Sequence, residues 1–410
     1  MDEAMDQQKA ENAGSLPGAI LLIAGCCIGA GMLGVPVVSA LAGFKPSLCM
    51  FLVSWLFMTA TALLLLEVTL SFREEVNLVT MAEKCLGWPG KWAAWACFLF
   101  LFYALGVAYL AGSGELVSDF ISENFQMKVP HIVGTVAVSI LFGGFVYAGT
   151  HAVDLFNRLL MAGLAASYLL LVEQGLPHIH MENLRHSNWS VALFILPILL
   201  ISFGFHNLIP SLTYYLQRDA RRLRLAVLCG SAIPLLIYLV WEWLILGLVP
   251  IYGQGGFLEI LEKGQLATDI LREKTGSLKI VQTAQYFALF AILTSFLGNS
   301  LSFVDFLADG WHVKKEGIRK LLLCAAVVVP PFVMAYAYPN IFLTALHYAG
   351  AFGAVILFGI LPALMVWSVR YRRPETRNSI QQMLPGGKAA LLCIILFALV
   401  VIGLQFVEAG

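Results

Sequence analysis

Charge is scarce in this sequence. Only 12% of its 410 residues are Asp, Glu, Lys or Arg, and 25 basic residues balance 25 acidic ones. No basic stripe is present, so nothing points to nucleic acid as a partner. No H-E-x-x-H and no clustered Cys or His at zinc spacing occurs, which leaves no metal signature. The eight cysteines are scattered, mostly inside apolar runs. The adjacent Cys26 and Cys27 cannot plausibly form an ordinary disulfide, so no disulfide framework is expected. Met1–Gly14 is polar and mildly acidic and lacks the basic start of a cleaved signal peptide. What fills the chain is apolar sequence. It is 60% hydrophobic with mean hydropathy +0.83, beyond what a soluble core of this size requires.

The apolar runs predict eleven membrane-spanning helices, at 16–42, 46–72, 92–119, 129–149, 152–174, 190–212, 223–250, 278–307, 317–338, 340–368 and 387–407. A very short connection near Thr150–Val153 joins the fourth and fifth. Leu176–Trp189, with Arg185 and three histidines, reads as an exposed connector. Ile251–Ser277, with Phe257, Leu258, Ile260 and Leu261, reads as an amphipathic helix across the mouth of the protein. Of the 25 Lys and Arg, 18 fall on one side of this scheme, the side that holds the N-terminus. Positive charge favours the cytoplasmic face, so the N-terminus is expected inside and the C-terminus outside.

Two spans interrupt themselves. The first carries G-C-C-I-G-A-G-M-L-G over Gly25–Gly34, then Val35 and Pro36; the sixth carries Ser202-Phe203-Gly204-Phe205-His206-Asn207, then Pro210. Each Gly disfavours helix by about 1 kcal/mol relative to Ala. Broken backbone at mid-membrane is tolerated only where it lines a cavity or is buried in protein. The simpler reading of Gly25 and Gly29 is a small-residue packing motif. Interrupted spans five apart, however, are the mark of an inverted-repeat transporter. The expected layout is an N-terminal tail (1–15), a first five-span repeat (16–174), an external connector (175–189) and a second, inverted repeat (190–368). A cytoplasmic loop (369–386) and an added eleventh helix (387–410) complete it.

Each break exposes N–H donors and a positive dipole end on one side and free carbonyls on the other. A zwitterionic amino acid satisfies both. Gly29, Ala30 and Gly31 are assigned its carboxylate. The carbonyls of Gly25 and Cys26, with those near Phe203 and Gly204, are assigned its amine. Phe203 and Phe205 flank the second break, and Tyr103, Gly106, Tyr109 and Ser113 on the third span are expected to share one helical face by their three- and four-residue spacing. Ser113, Ser202, His206 and Asn207 are eligible partners for a substrate hydroxyl. Ionisable residues inside spans default to functional candidates. Glu67 and His206 are the candidates for handling a proton, with interior pairing as the alternative. Glu115, Asp305 and His347 are more readily structural or interfacial, and Glu242 sits between two Trp in the seventh span. Thr294 and Ser295 could hold sodium, although hydroxyls more commonly bond back to their own helix.

Eight stretches in order resemble the bacterial tryptophan/tyrosine permease family, nearest its tyrosine-specific members. They are I-G-A-G-M-L-G (Ile28–Gly34), L-L-L-L-E-V (Leu63–Val68), Y-L-A-G-S-G-E-L (Tyr109–Leu116), V-D-L-F-N-R (Val153–Arg158), L-P-H-I-H (Leu176–His180), S-F-G-F-H (Ser202–His206), G-S-A-I-P-L (Gly230–Leu235) and T-S-F-L-G (Thr294–Gly298). The resemblance implies eleven spans in the LeuT-like, amino acid–polyamine–organocation superfamily fold. It also implies a place in the inner membrane and proton-coupled uptake of an aromatic amino acid. It adds weight to Glu67, Glu115, His206 and Asp305. It implies an amide at the position of Glu242, which makes Glu242 a local substitution and a poor choice for the proton carrier shared by the family. The expected function is proton symport of tyrosine without a cofactor, with tryptophan and phenylalanine as further substrates. Sodium coupling and tryptophan preference are the alternatives. A membrane-embedded acyltransferase, using His206 with Asn207, and a channel are the rivals from other classes. The bilayer is the surrounding partner, and oligomeric state is left open.

Overall fold

The structure is a computed structural model describing residues 14–74, 76–125, 129–253, 256–259, 277–372 and 382–408. In chain order the helices are α1 (Leu16–Cys27), α2 (Gly31–Ser39), α3 (Phe44–Ser71), α4 (Leu78–Leu86), α5 (Trp88–Phe125), α6 (His131–Ala148), α7 (Thr150–Gly175), α8 (Leu196–Ser202), α9 (Ile209–Tyr215), α10 (Ala220–Leu248), α11 (Leu278–Gly310), α12 (Gly317–Ala337), α13 (Phe342–Tyr348), α14 (Leu361–Tyr371) and α15 (Gly387–Glu408). No strand occurs among the described residues. Ten helical stretches there are long and apolar enough to cross a membrane, and α1 with α2, bent by 53°, makes an eleventh.

Local chemistry sets the ends. Ser15 caps α1 by accepting the Gly18 N–H at 3.1 Å, with Pro17 in its first turn. Asp219 caps α10 by accepting from the N–H groups of Arg221 and Arg222. Gly149, at φ 102°, makes the tight turn between α6 and α7 where a short connection is expected. One amphipathic helix was not anticipated. α4 starts at the cap Asn77 and stops at Gly87, and it lies between the second and third spans.

The connector 175–189 is not a loose hydrated loop. The His180 N–H and the Asn183 amide donate to Gly247 O, the Asn188 N–H donates to Ala42 O, and His186 bonds Leu41 O. It straps the ends of α10 and of the first span together. In the expected amphipathic segment Phe257 is buried, whereas Ile260 and Leu261 lie outside the described residues.

Burial is uneven in a way that locates the centre. The first, sixth and tenth spans pack together near their interruptions, with Ala30, Leu33, Phe203, Phe205 and Val355 fully enclosed. The tenth span runs as α13, then a π-helix over Ala349–Ile360, then α14. π-Helical turns are rare and frequent at functional sites, and this one packs against α8 beside the second break.

Candidate substrate site at the paired helix breaks

The first break is short. Ile28 takes an extended conformation (ψ 101°), and the helix resumes at Gly31. The Ala30 N–H, which a continuous helix would give to Cys26 O, instead donates to the Ser295 hydroxyl at 2.9 Å. Cys26 O thus loses its helical donor, and the Ala30 N–H, expected to take a substrate carboxylate, is already engaged. The N–H groups of Gly29 and Gly31 find no acceptor among the described residues, which leaves them for an anion. Glycine is required at both positions by close approach. A Cβ on Gly29 would lie 2.3 Å from Ser295 Oγ, and one on Gly31 2.6 Å from Ser202 Oγ.

The second break runs from Phe203 to Phe205, with backbone near ψ 22° and 8° at its two ends. Pro210 in the first turn of α9 restarts the helix. Phe203, Phe205 and His206 are buried, whereas Asn207 is exposed. Cys26, exposed at the first break, donates its thiol to Gly204 O at 3.7 Å.

The two breaks are joined by a residue that the sequence did not single out. The Tyr238 hydroxyl on α10 lies 2.6 Å from Cys27 O and 2.9 Å from Ser202 O. These carbonyls end the first half-helices of both broken spans, so one phenol proton is shared between the two C-terminal ends. Its ring meets Phe203 edge-on at 5.2 Å. Three residues along, Trp241 Nε1 donates to Met32 O at 2.8 Å and holds α2, the second half of the first span. The only sequence hint was a buried Tyr with a polar tip in an apolar run.

The third span turns out differently. Tyr103 donates to Ala326 O at 3.0 Å and meets Phe303 edge-on at 4.7 Å, so it packs α5 against α12 and α11 away from the breaks. Tyr109 instead faces Ser295. Two steps of three residues turn a helix about 120° short of full register, so Tyr103 and Tyr109 do not share a face. Gly106 packs on Pro331, and Ser113 bonds back to Tyr109 O at 2.5 Å.

The ionisable candidates separate. Glu67 lies on α3, six residues beyond the Thr61 that bonds His206. Its carboxylate takes a two-pronged contact from Arg370 at 2.5 and 2.6 Å, plus the Met383 N–H at 2.9 Å. Of the two readings of Glu67, the structure shows the interior pair, which ties α3 to α14 and to the segment before α15. His206 does lie at the second break. Its Nε2 is 2.9 Å from Thr61 Oγ1, Phe358 of the π-helix stacks on its ring at 4.7 Å, and its Nδ1 has no partner. Asp305 pairs with Lys315 at 2.8 Å, half exposed. His347 hydrogen-bonds Gln405 and links the tenth span to the eleventh. Glu115 is half-buried and has a partner. Thr294 and Ser295 both donate to Ala291 O, at 3.0 and 2.9 Å, while Ser295 also serves the first break. No group of three metal-ligating side chains occurs among the described residues.

Ten apolar spans and a bent eleventh among the described residues, two of the eleven broken near their middles and packed together, define a multispan membrane protein of the broken-helix class. Comparison with known proteins gives the finer placement. The sequence matches the tryptophan/tyrosine permease family over residues 12–405, and the chain belongs to that family. It is 34% identical to the tyrosine-specific transport system 1 of Haemophilus influenzae, over 96% of this chain and 97% of that one. It is 28% identical to that organism's tryptophan-specific transport protein, over 96% of each. Among solved structures it resembles MhsT in complex with L-phenylalanine, with TM-score 0.67 and 16% identity over 97% of this chain and 99% of that one. The fold is accordingly the LeuT-like inverted repeat of five and five helices plus one.

Proposed function

We propose that the chain is a secondary transporter that carries tyrosine across a bacterial inner membrane with a proton, by exposing the paired breaks to each side in turn. The observation that carries this reading is the Tyr238 hydroxyl held between Cys27 O and Ser202 O. It makes the two breaks one site, so that a substrate held by one is sensed by the other. The substrate carboxylate takes the N–H groups of Gly29 and Gly31 at the start of α2. Its amine takes the carbonyls of Gly25 and Cys26. Phe203 and Phe205 bound the space for the ring. The bare Nδ1 of His206 accepts the phenol O–H, since Nε2 is engaged with Thr61. The hydrogen bond to the phenol hydroxyl ranks tyrosine above phenylalanine and tryptophan, which the space for the ring still admits as competitors. The names of the relatives, tyrosine- and tryptophan-specific transport proteins, support the same substrate class and a transporter in place of an enzyme. The distribution of Lys and Arg supports an N-terminus inside and a C-terminus outside.

The test is uptake of labelled tyrosine into proteoliposomes under an inward proton gradient, with and without sodium. Accumulation without sodium, competed by tryptophan and phenylalanine but not leucine, is the expected result. Accumulation that requires sodium would move coupling to Thr294 and Ser295. No uptake under either gradient by folded protein would refute the transport reading.

A further inference from the structure

Glu67 has Arg370 as its counter-charge, but a second carboxyl inside the membrane has none. Glu242 on α10 is fully buried. Its Oε1 hydrogen-bonds the Ser39 hydroxyl at the end of α2, and its Oε2 has no partner. Ser47, at the start of α3, also lies beside it, but the Ser47 hydroxyl donates to Gly43 O on its own helix at 2.7 Å. The ionisable groups on the surrounding elements include Lys45 and Glu67 on α3, Glu173 on α7, and His178, His180, Glu182, Arg185 and His186 on the connector. None of them forms an ion pair with Glu242 among the described residues. An unpaired carboxylate in such a place is very costly, and the neutral acid is not. Glu242 also lies one turn along α10 from Tyr238, the i,i+4 spacing that brings two side chains onto one helix face. It therefore sits between the external connector and the hydroxyl that joins the two breaks.

We propose that Glu242 binds the proton of the transport cycle, a role that rests on the proton-symport reading above. With the corner of α2, α3 and α10 closed, as in this structure, the side chain is the neutral acid hydrogen-bonded to Ser39. When the outer half of the first span swings away, the carboxyl meets external water. It is ionised there until a proton from that water forms its O–H bond and the corner closes again. On the inward-facing side the same O–H bond breaks and the proton passes to internal water.

The experiment compares wild type with Glu242→Gln in proteoliposomes. It measures tyrosine accumulation driven by a proton gradient, and tyrosine counterflow with no gradient. Accumulation in the variant falls by about tenfold or more while counterflow persists, separating coupling from binding. Equal proton-driven accumulation in both proteins would overturn the role of Glu242 and leave proton symport standing. Wild type that accumulates only with sodium would overturn both. Should the variant fail to exchange, infrared difference spectra of wild type on adding tyrosine decide. A protonated-carboxyl band that changes with tyrosine and shifts in Glu242→Asp supports the proposal. A wild-type spectrum without such a band overturns it.

Discussion

Removing the Tyr238 hydroxyl would leave two buried carbonyls, of Cys27 and Ser202, without their shared donor. An unsatisfied buried acceptor costs about 1–3 kcal/mol. Tyr238→Phe should therefore weaken tyrosine binding by about tenfold, read as Kd on purified protein. Glu67 and Arg370 give a prediction of a different kind. Breaking a buried ion pair at one partner costs about 3–5 kcal/mol because the other charge is stranded. Glu67→Gln should lower the melting temperature of the detergent-solubilised protein, and replacing Arg370 with Met as well should restore most of it. The surviving Glu67→Gln protein should still accumulate tyrosine on a proton gradient; loss of accumulation with stability intact would return Glu67 to the coupling mechanism. The sequence exposed Glu67 as a carboxyl in an apolar run, but its partner lies 303 positions away, beyond any local pattern. Tyr238 was hidden for a related reason, since its role depends on carbonyls from two distant breaks.

At the scale of the helices, the breaks were legible because glycine and proline act locally on the backbone. Gly29, Gly31 and Pro210 announce the interruptions without any tertiary information. What was not legible is the packing that makes glycine obligatory: Ser295 against Gly29 and Ser202 against Gly31. Gly31→Ala should force the first span away from the sixth and abolish uptake, while the folded protein still elutes as a single species. Ser295→Ala leaves the Ala30 N–H without its acceptor, and a several-fold loss of tyrosine affinity is expected by equilibrium dialysis. The π-helix of the tenth span also escaped the sequence, because its composition is that of any apolar span and only its packing against α8 and His206 distinguishes it.

For the molecule as a whole, apolar length alone gave the eleven spans, and the placement of the two broken ones gave the repeat. The third span shows where that reasoning stops. Tyr103 and Tyr109 are equivalent by type and near one another in sequence, yet only Tyr109 faces Ser295 at the centre. The central claim is that the two breaks form one site for an aromatic amino acid. Its most direct test is equilibrium binding of labelled tyrosine to the purified full chain, beside Gly29→Ala, whose added Cβ would lie 2.3 Å from Ser295 Oγ. The account predicts saturable binding to wild type, displaced by tryptophan and phenylalanine but not by leucine, and none to a folded Gly29→Ala. Binding by Gly29→Ala equal to wild type would contradict it.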